Sequence, residues 1–280
     1  MMSPHTSRRS VLLLGGLALV GCAASPSIPR VTASPTGSIR EQLQTALDTV
    51  SAGNERLGVA LKDLNSGASW DFRGDYASQS ASMAKPMIVS MAMRQARAAG
   101  GPLSAENLQH ATAAITQSKN DDADALWASA GGRPAYDDLA KDLGLTATRS
   151  DPARDFWSWT WTTPKDQLLF LQQLLNGTKA LDDADRATLL SLMGSVTDDQ
   201  AWGVGAPRGA EVAVQLKNGW VQFQSTDKLW AVNSIGHVKG QGRDYLLTIM
   251  TRTADFDTGR AYCDEIGSWV FKVLGSGPLR

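Results

Sequence analysis

The sequence predicts an α/β fold: a five-stranded antiparallel sheet flanked by terminal helices, with an all-helical lobe inserted after the second strand. Three observations predict it. Near the start, Leu57, Val59 and Leu61 alternate with other residues, Asn65-Ser66-Gly67 makes a turn, and Trp70 and Phe72 resume the alternation, which describes a hairpin. From Ser82 to about Met193 the apolar residues recur at helical spacing instead. Strand-like segments return after Gly205, at 212–220, 229–238 and 245–253, and a last helix follows them.

Each element has a local reason. Ser38 and Glu41 form a capping box ahead of Ile39, Leu43, Leu47 and Val50, which recur as one helical face. A helix from Ser82 toward Ala99 stops at Gly100-Gly101, another covers roughly 104–116, and two short ones flank Gly131-Gly132. Thr163-Pro164 supplies an N-cap and a proline at the first helical position, and Leu168, Leu171, Leu174 and Leu175 follow before Gly177 ends the run. A helix from about Asp182 to Met193 closes the insert, and the final one, Arg260 to Leu274, carries Ile266, Trp269, Val270 and Val273. This divides the folded part, 38–280, into an α/β lobe (38–81 and 205–280) and a helical lobe (82–204), with a pocket expected at their seam.

The net charge of −1 gives no electrostatic case for nucleic acid. The head of the chain is more specific. Arg8-Arg9 precede an apolar run from Val11 to Val20 that is too short to span a bilayer, so residues 1–21 read as an export signal, of the twin-arginine type by its arginine pair and with the Sec route as the alternative. Leu19-Val20-Gly21-Cys22 resembles a bacterial lipobox, which implies a fatty-acylated (palmitate-bearing) Cys22 and a lipid anchor on the outside face of the cell membrane. Residues 22–37, rich in Ser, Pro and Thr, read as a flexible tether. Cys263 is then the one remaining thiol, so no intrachain disulfide is expected.

The three histidines, His5, His110 and His237, stand near no serine-rich elbow, which argues against a Ser-His-Asp triad. There is no His/Cys cluster for a metal, no glycine-rich phosphate loop and no dinucleotide fingerprint, so no cofactor is expected. Serine–lysine chemistry remains. Ser82 and Lys85 are three apart, on one face of a helix start, where unpaired N–H groups favour developing negative charge. Lys85 could act as a base only if burial or a nearby cation lowers its pKa. The same spacing recurs at Ser225 and Lys228, but in a turn between strands where nothing organises it.

Two further short motifs follow in order: Ser118-Lys119-Asn120 after the 104–116 helix, and Lys217-Asn218-Gly219 on the first strand after the helical lobe. S-x-x-K, S-x-N and K-x-G, so ordered, resemble the motif set of the class A β-lactamase and penicillin-binding serine enzyme superfamily. The likeness spans about 38–274 and includes "AITQSKNDDADALWASAGG" and the "TTP" before the helix at 164. It implies a class A β-lactamase-like fold and a set of roles. Ser82 would be the acylated nucleophile, Lys85 its base and Ser118 a proton relay to the leaving nitrogen. Asn120 would hold a substrate amide. Lys217 would lower the pKa of Lys85 and attract a substrate carboxylate. Gly219 would leave room for substrate along the strand, and the N–H groups of Ser82 and Trp220 would hold the oxyanion. The implied partner is a β-lactam, a peptidoglycan-derived peptide or another acyl compound.

The pattern also departs from that family. Class A enzymes hydrolyse the acyl-enzyme with a glutamate between the second motif and the T-T-P helix. Here the glutamates are Glu41, Glu55, Glu106, Glu211 and Glu265, and none falls in that interval. The loop, "TRSDPARDFWSWTWTTP", holds Asp151 and Asp155, which could activate water or simply pair with arginines in a turn. Asn218 stands where the family has Thr or Ser, and Trp220 is bulky beside the oxyanion position. Trp157, Trp159 and Trp161 could line the pocket or pack the loop. Similar departures characterise β-lactamase-like lipoproteins of actinobacteria, which the chain resembles in motif pattern. Two functions follow as expectations: a serine hydrolase with weak or absent β-lactam turnover, or a non-catalytic envelope lipoprotein that keeps the fold for binding.

Overall fold

The computed structural model describes residues 28–31, 36–223 and 226–280. The expected export signal, Cys22, most of the tether and Ser225 lie outside the described residues. The chain opens with α1 (Ile39–Val50), whose capping box is made: Ser38 N donates to Glu41 Oε2 at 2.7 Å, and Glu41 N donates to the Ser38 hydroxyl. The hairpin β1 (Leu57–Asp63) and β2 (Ser69–Phe72) follows, then a two-residue strand β3 (Ser78–Gln79). The helical lobe contains α2 (Lys85–Ala98), α3 (Ala105–Thr116), α4 (Asn120–Ser129) and α5 (Gly132–Asp142). After a second two-residue strand, β4 (Trp161–Thr162), it continues with α6 (Pro164–Asn176) and α7 (Asp183–Met193). The chain returns through β5 (Val212–Gln222), β6 (Trp230–Gly240) and β7 (Arg243–Thr253) and ends in α8 (Phe256–Leu274).

The large sheet is antiparallel in the order β2-β1-β7-β6-β5, so the first hairpin pairs with the last strand and β5 is an edge. Strand alternation decides which core each side chain enters. Ala60, Ile235, Leu246 and Met250 face the helical lobe and pack with Met83, Met87, Ile88 and Phe170. Their neighbours Val59, Leu61, Leu247 and Ile249 face the terminal helices and pack with Leu43, Leu47, Ile266 and Val270. The sheet is thus buried on both faces, and the buried thiol of Cys263 sits in the second core.

Three details differ from the sequence reading. The helix expected from Ser82 begins at Lys85, because Ala81–Ala84 form a separate 3₁₀ turn. The last helix starts at Phe256 rather than Arg260, since the Asp255 carboxylate accepts the Thr258 N–H at 2.7 Å and caps it a turn earlier. β3 and β4 form a small second sheet that fastens the 148–162 loop beside the 3₁₀ turn.

The α8 contact to the 203–205 turn gives a test. A Cβ built at Gly267 would lie 2.1 Å from the Gly203 carbonyl oxygen. Glycine-to-alanine stabilises an open helix by about 1 kcal/mol. At this contact Gly267→Ala should instead destabilise by about 1–3 kcal/mol, read as a lower urea midpoint with an unchanged slope.

Candidate active site

The site is assembled at one end of the seam, where β5 crosses the 3₁₀ turn. Ala81 holds a left-handed backbone, φ 50°, immediately before Ser82. That conformation is unfavourable for a residue with a Cβ, and it persists because neighbours fix the turn. Asn233 Nδ2, on β6, donates to the carbonyls of Gln79 (3.0 Å) and Ser80 (3.3 Å). Ser80 N donates to Thr160 O at 2.8 Å. Nothing in the residue types at 80–82 announces this bend, and Asn233 and Thr160 were not among the residues expected to matter.

Gly219 is the crossing point. A Cβ there would meet Met83 N at 2.4 Å, Ser80 O at 2.7 Å and Ser82 N at 2.8 Å, all backbone atoms that cannot swing away. The edge strand therefore runs against the Ser82 backbone directly, and only glycine permits it.

Ser118 ties the two lysines together. It too is left-handed, φ 58°, which lets its carbonyl accept from Lys85 Nζ while its hydroxyl accepts from Lys217 Nζ at 2.8 Å and faces Lys85 Nζ at 3.4 Å. Lys85 also donates to Asn120 Oδ1 at 2.9 Å, and the Trp157 ring lies 4.8 Å from its ammonium. Lys85 is 0% exposed, and burial lowers its pKa to about 7 against the opposing pull of Asp124 and Asp122. Lys217, 1% exposed, is pushed well below the usual lysine value, first by burial and then by the charge on Lys85.

A cleft of about 310 Å³ opens onto this group, lined by Ser82, Ser118, Asn120 and Trp220 together with Asp124, Phe156 and Trp157. Lys85, Lys217 and Gly219 stand behind that lining. Lys217 is held from behind, its ammonium donating to the Ser118 hydroxyl and to the Asn218 carbonyl, each at 2.8 Å. Asn218 points away, its amide donating to the Gln200 (2.7 Å) and Trp202 (3.1 Å) carbonyls, so it holds the preceding segment to β5.

The aromatic loop divides its tasks. Trp157 lines the cleft, whereas Trp159 is sandwiched beside it between Arg154 (3.9 Å to the ring centre) and Phe223 (4.6 Å between centres). The Arg252 guanidinium lies over the Phe223 ring at 4.4 Å, and Trp161 packs against Arg149. Trp220 lies at the cleft edge against Trp202 and Phe256, leaving Ser82 open to the cleft. Asp151 and Asp155 line no part of it. Asp151 accepts from Ala153 N at 2.8 Å and pairs with Arg154, and Asp155 lies 3.8 Å from Arg133. His110 bonds Asp122 and His237 bonds Asp244, both away from the lining. Among the described residues no group of three or more His, Cys, Asp or Glu is placed to hold a metal ion.

Gly219→Ala should separate β5 from the Ser82 turn. We expect a loss of about 1–3 kcal/mol in stability, and loss of Ser82 reactivity toward an acylating probe even where the variant remains folded by circular dichroism.

Comparison with known proteins agrees with this architecture. A beta lactamase from Xanthomonas campestris superposes with a TM-score of 0.71 at 21% identity, over 86% of this chain and 100% of that one. A representative class A beta-lactamase from Bacteroides cellulosilyticus gives 0.72 at 14% identity, again over 86% and 100%. An ancestral class A beta-lactamase gives 0.66 at 23% identity, over 84% and 99%. These likenesses establish the class A β-lactamase fold. No curated protein sequence matches the chain. The sequence profile of the beta-lactamase enzyme family, however, matches residues 100–274, an interval holding the second and third motifs, and by that match the chain belongs to the beta-lactamase enzyme family.

Proposed function

We propose that the chain is an exported serine hydrolase of the penicillin-recognising kind, acylated on Ser82, with slow release of the acyl group. The observation that carries this reading is Lys85. It is a fully buried amine one turn from a cleft-lining serine, it has lost much of its basicity to burial, and it is wired to Ser118. As the neutral amine it would take the Ser82 proton while Oγ attacks the substrate carbonyl. The Ser118 hydroxyl, between the two lysines, would pass a proton to the leaving nitrogen. The close approach at Gly219 favours the N–H groups of Ser82 and Trp220 as oxyanion donors. Asn120, exposed at the cleft, would meet the substrate amide with its Nδ2 while Oδ1 stays with Lys85. The substrate is a β-lactam, a peptidoglycan-derived peptide or another acyl compound. Two features argue for slow turnover: the glutamate-free interval from 106 to 211, and the Trp157 ring standing against Lys85. The non-catalytic alternative draws on Trp220 and the aromatic loop, but neither Trp159 nor Trp161 lines the cleft, which favours the enzyme.

The mass of the intact soluble domain after incubation with benzylpenicillin tests this directly. We expect a covalent adduct on wild type and none on Ser82→Ala; an equal adduct on both would remove Ser82 from the mechanism. Lys85 protonated cannot accept a proton, so the acylation rate should fall as pH drops through about 7 and level off above it.

The head of the sequence supports export and a lipid anchor at Cys22 on the outside face of the cell membrane. Cells fed labelled palmitate should label the wild-type chain but not Cys22→Ala, and the variant should leave the membrane fraction.

A further inference from the structure

The Ser82 cleft contains a carboxylate to which neither the motifs nor the reading above assigns a task. Asp124 is the one acidic residue among those lining it. It follows Asn120 by one turn of α4, so the two share a helix face directed at the site. Its Oδ1 accepts the indole N–H of Trp157 at 2.6 Å. Its Oδ2 makes no hydrogen bond among the described residues, and the residue as a whole is exposed to solvent. Trp157 is itself buried and packed over Lys85, so one indole covers the lysine with its face and grips the aspartate with its edge. The other acids near the site are engaged elsewhere: Asp122 with His110, Asp151 with Arg154, Asp155 beside Arg133.

A carboxylate held by one oxygen, with the other free in a solvent-exposed cleft that Ser82 also lines, has the chemistry to act as a general base on an ester formed at that serine. We propose that Asp124 is the base that hydrolyses the acyl-enzyme. A water oxygen bonds to the ester carbonyl carbon as its proton passes to Asp124 Oδ2. The bond from that carbon to Ser82 Oγ then breaks, and Oγ takes the proton from Asp124. Serine and carboxylate are restored, and the acyl group leaves as its acid. The proposal rests on the reading of Ser82 as the acylated residue, and it accounts for how a chain without the family's glutamate could still turn over.

Asp124→Asn keeps the side-chain length and an oxygen for the Trp157 N–H but removes the basicity, so it separates catalysis from packing. The soluble domain is labelled with benzylpenicillin, freed of excess, and followed by intact mass over time. We expect Asp124→Asn to form the adduct no more slowly than wild type, because losing a charge that favours protonated Lys85 leaves more of the neutral amine. Adduct formation also reports that the variant is folded. We expect it to keep its adduct at least about tenfold longer, since a general base contributes two to four decades of rate. Trp157→Phe, which keeps a ring over Lys85 but loses the clamp, should fall between the two. Adducts that decay at one common rate, or a wild-type adduct that never decays, overturn the role of Asp124 and leave the reading of Ser82 standing. No adduct on any of the three overturns both.

Discussion

Two lysine amines buried within reach of one serine hydroxyl set the terms for the rest of this structure. Like charges that close, out of water, repel strongly, and removing either from solvent already costs several kcal/mol. The pair is tolerated because Lys85 gives up its basicity readily and because each amine is met by acceptors: the Ser118 carbonyl and Asn120 for one lysine, the Ser118 hydroxyl and the Asn218 carbonyl for the other. Supplying carbonyl and hydroxyl from the same residue in two directions is what puts Ser118 in a left-handed conformation. The lobes are held in register by that demand: Lys85 comes from the first helix of one lobe, Lys217 from the edge strand of the other, and Ser118 stands between them.

The 148–162 loop answers a second demand, which is to close the open side of the lysine pair. It does so with ring faces and guanidinium groups. The contacts among Arg154, Trp159, Phe223 and Arg252 clamp the loop to the sheet, the β3–β4 pairing ties it beside Ser82, and Trp157 is delivered onto Lys85. Such ring and guanidinium contacts bury large area and, unlike exposed ion pairs, are only weakly screened by salt. The loop is therefore a wall of the site.

The order of elements was legible because it depends on local signals: the capping box at Ser38, the Thr163-Pro164 start and the alternation in β1 and β5 each act over a few residues. The three motifs were legible by type and order, and the fold brings Ser82, Lys85, Ser118, Asn120, Lys217, Gly219 and Trp220 to one place. What was hidden depends on tertiary contact. The bend at Ala81 is imposed by Asn233 and Thr160, residues 153 and 80 positions from their partner Ser80, with no glycine to mark it. The placement of Lys217 behind Ser118 follows from how deep β5 passes, which no spacing encodes. Asp124 is the instructive omission, since a carboxylate four residues after Asn120 on a helix can be found by counting turns.

Cys263 carries a consequence of a different kind. Its thiol is enclosed between α8 and β6, 3.7 Å from the Val232 carbonyl, and burial raises its pKa well above the usual thiol value. In the closed molecule it is neither reached by a thiol reagent nor present as the reactive thiolate. Alkylation at this position consequently measures a motion: the opening free energy of the C-terminal helix against the sheet, recorded from within the core by an atom the chain already possesses.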